Sequence, residues 1–317
     1  MDEIIELLDE YLRQTNQVIE YVNKLTSEER EYYRKHQEIL YVGIVNRTYS
    51  LWETFCKELV YKYYLQIKEE LLLKGELVKK LRLNELPGYI VETGRIQDEA
   101  ILYDLKKDFI TYTTKNIGSN ELKNLFDRFG VDVLVSLNST TSIKKHLEDN
   151  NEYFGISDFS QDFLKIAMSK LTEERNKVSH SSSIDDYQRL EDIKEWAVFF
   201  QLLSKELTMI VCKKIIDDNR DALNNVGKYK EFYKGQQVLC IDIANNVQID
   251  KKTLLVIKRS DNIIALLKPE SFKVNDIDKE SVIANDPAGI KVKALFRDKI
   301  SDIRENDQIE YLSDVFL

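Results

Sequence analysis

The amino-acid sequence predicts an α+β protein of two domains, an N-terminal all-α helical bundle and a small C-terminal β-barrel. The chain has 317 residues, whereas a single hydrophobic core rarely grows beyond about 250–300 residues. Apolar residues recur at helical spacing over the first two thirds of the chain, and short β-branched runs follow. We therefore predict a helical domain at 1–226 and a barrel at 235–317.

The helices of the first domain follow from apolar stripes interrupted by glycine and polar segments. A capping-box pattern, Thr26 to Glu29, predicts where the second helix begins. The segment "NRTYSLWETFCKELVYKYY" predicts a strong helix with an aromatic face. Further helices are predicted at 98–115, at "SNELKNLFDRFG", at 157–179 and at 184–224.

The barrel is predicted from the runs "QQVLCIDIA", "TLLVIK", "IIALLK" and "SVIAND", which are separated by turn-forming residues. The last segment, "ENDQIEYL", resembles the step that closes the β-barrel of translation factors, without the glycine found there. We expect such a domain to contribute recognition or control rather than chemistry.

The formal net charge of −9 disfavours a protein that coats nucleic acid through its phosphates. Any contact with nucleic acid is therefore expected at a local basic pocket. The cysteines Cys56, Cys212 and Cys240 are far apart and form no CxxC pair, which fits a reducing cytoplasm. The acidic N-terminus argues against a signal peptide, and the absence of a long apolar run argues against a membrane span.

The segment "EERNKVSHSSS" places Arg175, Asn176 and His180 close together in the sequence. Asn176 and His180 are four residues apart and share a helix face, and Arg175 borders that face. The serines that follow predict that the helix ends near His180. The imidazole is then expected at an exposed helix end, where Asn176 could orient it and Arg175 could bind a phosphate.

These residue types suit RNA cleavage. Histidine can take a proton from a ribose 2′-OH or give one to the leaving oxygen. Arginine can stabilise the charge of the phosphorane-like transition state. The sequence has neither paired histidines nor a carboxylate cluster at ligand spacing, so no metal and no cofactor is predicted. An Arg four to six residues before a His also arises by chance, and a polar helix surface is the alternative interpretation.

"LTEERNKVSHSSS", followed by a long helix, resembles the HEPN superfamily, whose nucleases carry R-x4-6-H with a polar residue after the arginine. That polar residue is Asn176 here. "WETF" at 52–55 is similar to the aromatic-Glu-x-aromatic pattern of the upstream helix in the MAE-type and RiboL-PSP branches. "ELKNLFDRFGV" resembles the short helix that often follows. The resemblance covers roughly residues 40–215, leaving both ends of the chain outside.

The resemblance implies a helical homodimer whose two motif helices meet at the two-fold axis and build one composite site. It further implies metal-independent endoribonuclease activity on RNA such as tRNA or mRNA, in a toxin–antitoxin or antiphage abortive-infection system with a partner protein. A catalytically silent dimeric scaffold of a defence complex is the main alternative. A regulator whose helical domain only dimerises is another.

The resemblance assigns the site to Arg175, Asn176 and His180. Glu53 is a supporting candidate that lies either at the helix edge in water or toward the basic motif. Arg47 is a further supporting candidate, and we expect it to be solvated.

The remaining histidines, His36 and His146, lie in charged segments and are predicted on helix surfaces. We predict that the aromatic cluster of Tyr61, Tyr63 and Tyr64 serves packing rather than base stacking. Trp196, Phe199 and Phe200 are predicted in the core.

Overall fold

The computed structural model describes residues 1–73, 107–159, 162–181, 184, 186–260, 262–275, 277–283, 287–295 and 303–312. Two compact units are present, Glu3–Val211 and Cys212–Leu317, the latter together with Met1–Asp2. Helices occupy the first unit and antiparallel strands most of the second, so the α+β class is confirmed. The limits 1–226 and 235–317 for separately folding domains stay a prediction.

The helices are numbered in chain order. They are α1 (Asp2–Ser27), α2 (Arg30–Lys35), α3 (Gln37–Leu73), α4 (Lys107–Ile110), α5 (Ser119–Asp127), α6 (Val133–Asn138), α7 (Thr141–Asp149), α8 (Asn151–Phe154), α9 (Phe163–His180) and α10 (Leu190–Asp218). In the described ranges, none of these helices is both long enough and apolar enough for a bilayer span.

The helix predicted at 98–115 ends earlier than expected. Residues 98–106 lie outside the described residues, and α4 ends at Ile110. The guanidinium of Arg128 donates hydrogen bonds of 2.8 Å to the carbonyls of Ile110 and Tyr112. These carbonyls are therefore occupied by a tertiary partner rather than by the next helical turn, and residues 111–118 form an irregular loop.

The long helix α10 begins at Leu190, later than the predicted residue 184, and ends at Asp218 rather than near 224. Its start is stabilised by Asp192, whose carboxylate accepts a hydrogen bond of 3.2 Å from the backbone N–H of Arg189. The capping box predicted for α2 is wrong, because Glu29 makes no side-chain cap there. The hydroxyl of Thr26 bonds instead to the carbonyl of Val22 within α1.

The core of the helical unit is built around the aromatic face of α3. Trp52 and Phe55 are buried, and the Trp52 ring lies 4.8 Å from that of Phe200 on α10. Burial of Phe199, Phe200 and Trp196 follows the prediction. The members of the tyrosine cluster that are fully buried are Tyr63 and Tyr64. Packing of such rings contributes about 1.5–3 kcal/mol each and fixes α3 as the scaffold for its neighbours.

The strands of the second unit are β1 (Leu223–Asn225), β2 (Gly227–Tyr233), β3 (Val238–Ile243), β4 (Gln248–Ile249), β5 (Leu254–Arg259), β6 (Asn262–Val274), β7 (Ile277–Lys279), β8 (Val282–Ile283), β9 (Pro287–Ala294) and β10 (Gln308–Leu312). The main sheet has the order β1-β10-β5-β6-β9-β3-β2, with β7 paired to β6. The pair β4–β8 forms a separate small sheet.

The main sheet closes into a barrel at Val226, the single residue between β1 and β2. Its N–H donates to the carbonyl of Ile309, and its carbonyl accepts from the N–H of Ala244, both at 2.9 Å. One continuous segment thus pairs with β10 at one end and with β3 at the other, which removes the open edges. The predicted small barrel is confirmed.

The first two strands were not predicted, because residues up to 224 were expected to be helical and 226–235 to be the domain boundary. A register shift between Tyr229 and Glu231 interrupts the pairing of β2 with β3. Such a bulge breaks the two-residue alternation that identifies a strand in a sequence. The charged residues of β2 are exposed, so this stretch of the sequence also resembles a linker between domains.

Gly227 lies next to the closure point, and a substitution there tests how closely the backbone segments pack at the closure. Its φ is +151°, and a Cβ atom there would lie 1.9 Å from the backbone oxygen of Asp242. Gly227→Ala is expected to lower the free energy of unfolding of the barrel by at least about 2 kcal/mol. Gly235→Ala is the matched control, because a Cβ at Gly235 meets nothing within 4 Å.

The measurement is urea unfolding followed by far-UV circular dichroism and by tryptophan fluorescence. Both tryptophans, Trp52 and Trp196, lie in the helical unit, so their fluorescence reports that unit separately. Equal unfolding curves for the two glycine variants would contradict the proposed tight closure.

Candidate active site

The motif helix α9 divides into a buried face and a polar face. Most of its apolar residues and Glu174 are buried, Arg175 is half-buried, and Asn176 and His180 are exposed. The helix ends at His180, since the next residue, Ser181, adopts an extended conformation. The structure thus gives the predicted geometry, an exposed imidazole at a helix end on the same face as Asn176. The catalytic roles of these residues stay a prediction.

Arg175 is held by two contacts. Its guanidinium carbon lies 5.3 Å from the centre of the Tyr49 ring on α3. Its Nη1 donates to Oδ1 of Asn176 at 3.3 Å. A cation over an aromatic face gains about 0.5–1 kcal/mol at a partly exposed site. The side chain is therefore oriented in the absence of substrate.

Asn176 makes a second contact that the sequence did not indicate. Its Oδ1 also accepts a hydrogen bond from Nδ2 of Asn116, in the loop 111–118. The expected contact between Asn176 and the His180 ring is not among the hydrogen bonds of the described residues. Nearby, the hydroxyl of Ser179 donates to Oδ1 of Asn46 at 3.3 Å, which ties the end of α9 to α3.

The loop that carries Asn116 is attached to α3 at Ile117. The N–H of Ile117 donates to the hydroxyl of Tyr49 at 2.8 Å. The carbonyl of Ile117 accepts from Nε1 of Trp52 at 2.9 Å. We call this arrangement of Tyr49, Trp52 and Ile117 the Ile117 clamp. All three residues are buried. An unpaired backbone group in such a setting would cost about 1–3 kcal/mol, and the clamp gives both the N–H and the carbonyl of Ile117 a partner.

The electrostatics of the clamp keep the Tyr49 hydroxyl neutral. Burial raises the pKa of Tyr49 well above its ordinary value, and the negative charge of Glu53 raises it further. The hydrogen bond from Ile117 and the positive charge of Arg175 act in the opposite direction. The hydroxyl therefore remains protonated throughout the pH range in which the protein would act.

The buried side of the motif helix is secured by Glu174. Its carboxylate accepts a hydrogen bond of 2.7 Å from the hydroxyl of Tyr41 and lies 3.4 Å from Nζ of Lys177. The Tyr41 hydroxyl in turn accepts from the backbone N–H of Gln188 at 3.1 Å. Burial, with Glu174 alongside, raises the pKa of Tyr41 well above its ordinary value. Lys177 also bonds to the carbonyl of Asp186, so the segment after His180 is attached to the same helix.

In the described residues, the two supporting candidates form no hydrogen bond or ion pair with the motif residues. Glu53 forms an ion pair of 2.7 Å with Lys57 on its own helix, and both side chains are partly exposed. This places Glu53 at the helix edge. Arg47 is exposed and donates to Oε1 of Gln14 at 2.8 Å. Their suggested supporting roles stay predictions.

Tyr49 and Asn116 are the residues that sequence reasoning missed. Tyr49 precedes Trp52 by three positions and therefore lies on the same face of α3, which was a usable signal. Asn116 left no such signal, because its contact with Asn176 joins segments that are 60 residues apart. Among the described residues, no group of three or more His, Cys, Asp or Glu could hold a metal ion. The three cysteines are free thiols.

The surface prediction for His146 is wrong. Its ring lies 6.3 Å from the rings of both Phe154 and Phe199, and its Nε2 is buried without a hydrogen-bond partner among the described residues. Its charged neighbours in the sequence face outward while the imidazole faces the core. Burial lowers the pKa of His146 below its ordinary value. His36 is half-exposed, with its ring 4.7 Å from that of Tyr32.

The lowered pKa of His146 predicts a loss of stability in acid. The unfolded chain binds the proton more readily than the folded chain below about pH 6.5. The stabilising contribution is therefore complete above that pH and is lost as the pH falls toward the lowered pKa. We expect His146→Phe to reduce the difference between the free energies of unfolding at pH ~7 and pH ~5.

Urea unfolding of the variant and the wild-type protein at the two pH values measures this difference. His36→Phe serves as the matched control and should keep the acid sensitivity that His146 causes. An unchanged pH dependence in His146→Phe would show that another group is responsible.

Comparison with known proteins places these observations in a family. The family model described as RiboL-PSP-HEPN matches residues 2–213. The match begins well before residue 40, so the expectation that the N-terminal end lies outside the family region is wrong, and α1 and α2 belong to it. All the strands described above lie outside the match. No curated protein matches the chain. The chain belongs to the RiboL-PSP-HEPN family, within the HEPN superfamily.

Proposed function

We propose that the protein is a metal-independent endoribonuclease of the HEPN type, with Arg175, Asn176 and His180 at its active site. The observation that carries the proposal is the position of His180. The chain belongs to this family, and His180, the histidine of its R-x4-H motif, is exposed at the end of α9 on the face of Asn176, which accepts a hydrogen bond from Arg175.

The proposed reaction needs two proton transfers at one phosphate. An imidazole removes the proton from a ribose 2′-OH, and the oxygen attacks the adjacent phosphorus. The bond from phosphorus to the 5′ oxygen breaks, and a second group donates a proton to that oxygen. The products are a 2′,3′-cyclic phosphate and a 5′-OH. Arg175, whose planar fork matches phosphate oxygens, stabilises the charge that develops on phosphorus.

The second proton-transfer group is proposed to come from a second copy of the chain. The motif of one chain supplies one imidazole, whereas the reaction uses a base and an acid. Because His180 lies at an exposed helix end, a second copy can approach it along the same face. A symmetric dimer whose two-fold axis passes close to His180 would bring two copies of Arg175 and His180 to one cleft.

We further propose a role as a toxin or antiphage abortive-infection effector that cleaves tRNA or mRNA in the cytoplasm. An antitoxin or another defence protein would restrain it. The barrel would supply recognition or control. The chain's net charge of −9 supports RNA contact at a restricted site rather than across the whole surface.

His180→Ala is expected to lower the rate of RNA cleavage roughly 100-fold or more, because it removes a general acid–base group. His36→Ala is the matched control and should cleave at the wild-type rate. The assay uses total RNA in the presence of EDTA, and the product ends are analysed for a 2′,3′-cyclic phosphate or its hydrolysis product.

Wild-type cleavage in the His180→Ala protein would remove His180 from the mechanism. Loss of cleavage in EDTA with rescue by a divalent ion would remove the metal-free chemistry. A pure, folded wild-type protein that cuts no RNA under any of these conditions would favour the scaffold alternative.

Mixed dimers test the composite site. Wild-type and His180→Ala chains are mixed in equal amounts and allowed to exchange. If each cleft needs both imidazoles, activity should be about one quarter of that of the same total amount of wild-type protein, whereas independent sites would give about one half. Mixing wild type with His36→Ala is the control and should leave activity unchanged. A strictly monomeric, fully active protein would contradict the composite site.

A further inference from the structure

The orientation of the Asn176 amide is fixed by its neighbours. Arg175 donates to the Asn176 side chain at 3.3 Å. A guanidinium has donors and no acceptor, so the atom that faces it must be the amide oxygen. The group of Asn116 that faces the same oxygen is then its NH2, in agreement with the Asn116 Nδ2 to Asn176 Oδ1 hydrogen bond.

Asn116 is held in place by the Ile117 clamp. The next residue along the loop has both its N–H and its carbonyl bonded to buried side chains of α3. The backbone carbonyl of Asn116 also accepts a hydrogen bond of 2.8 Å from the N–H of Gly118. The Asn116 side chain therefore extends from a fixed loop rather than from a free one.

The NH2 group of the Asn176 amide is available for a ligand. The amide oxygen accepts from Asn116 and Arg175, whereas the NH2 forms no hydrogen bond with any group in the described ranges of the chain. Asn176 is exposed and shares its face with His180. The free NH2 thus offers hydrogen-bond donors at the place where a phosphate would lie, next to the guanidinium of Arg175.

We infer that Asn116 is a positioning residue, which keeps the NH2 of Asn176 turned outward to donate to a phosphate oxygen of bound RNA. Without Asn116, the amide is held only by the 3.3 Å hydrogen bond from Arg175 and can turn over more readily to present its oxygen, which repels an anion. The inference rests on the proposed function for its ligand class. It adds to the motif a residue from a different segment of the chain.

A double-mutant cycle between Asn116→Ala and Asn176→Ala tests the inference. The probe is a fluorescein-labelled oligodeoxynucleotide of mixed sequence, which lacks the 2′-OH and cannot be cleaved. Binding is followed by fluorescence anisotropy. Asn116→Ala is expected to weaken binding about 3- to 10-fold, since a hydrogen bond to a charged group is strengthened by that charge. In the Asn176→Ala background, the same change should alter binding by less than about 2-fold.

Asn116→Asp provides a second variant of nearly the same size. Aspartate only accepts, so it should turn the Asn176 amide over and weaken binding more than Asn116→Ala does. Asn138, exposed on α6, supplies the matched controls Asn138→Ala and Asn138→Asp, which should bind the probe as wild type does. Thermal melting of every variant shows whether the fold is intact.

The outcomes separate the two proposals. Coupling in the cycle supports the inference, even if the wild-type protein cleaves no RNA. Equal losses in both backgrounds, or no loss in either, would show that Asn116 does not act through Asn176, even if His180-dependent cleavage is found. Failure of the wild-type protein to bind the probe would contradict the outward phosphate-binding role of Asn176.

Discussion

The contacts of the Tyr49 side chain determine how the motif is presented. Its hydroxyl accepts the N–H of Ile117, and its ring lies under the guanidinium of Arg175. One buried residue of α3 therefore holds both the loop 111–118 and Arg175 of α9. A change to phenylalanine would keep the ring but leave the N–H of Ile117 unpaired, at a cost of about 1–3 kcal/mol. The raised pKa of Tyr49 keeps this arrangement independent of pH near neutrality.

The motif helix combines a firmly bonded inner side with an open outer side. On the inner side, the buried carboxylate of Glu174 has Tyr41 and Lys177 as partners, and removing a partner from such a charge is expected to destabilise the fold by about 3–5 kcal/mol. On the outer side, Asn176 and His180 are exposed. Rigid support behind an exposed polar set is what a binding or catalytic site requires, because the groups must be oriented before the substrate arrives.

Local sequence patterns predicted what depends on local structure. Helical periodicity predicted that Asn176 and His180 share a face. The serines after His180 predicted where the helix ends. The aromatic face of α3 followed in the same way. The contacts of Asn116 with Asn176 and of Arg175 with Tyr49 could not be predicted, because they join segments that are distant in the sequence.

The incorrect sequence predictions also arise from contacts between segments that are distant in the sequence. The helix predicted through 115 ends at Ile110, where Arg128 takes the carbonyls. His146 lies in a charged segment of the sequence, yet its ring faces Phe154 and Phe199 in the fold.

The barrel adds a constraint on where chemistry can occur. The family match ends at residue 213, and the first strand begins at Leu223. All three histidines, at positions 36, 146 and 180, precede both points. Any chemistry by an imidazole of this chain would therefore have to come from the family region. Because Val226 closes the barrel and β2 ends at Tyr233, a truncation at Gly235 would retain β1 without its partner β10 and β2 without its partner β3. A truncation after Asp218 keeps α10 and the whole family match while removing every strand described above, so it is the better test of whether the two proposed roles can be separated.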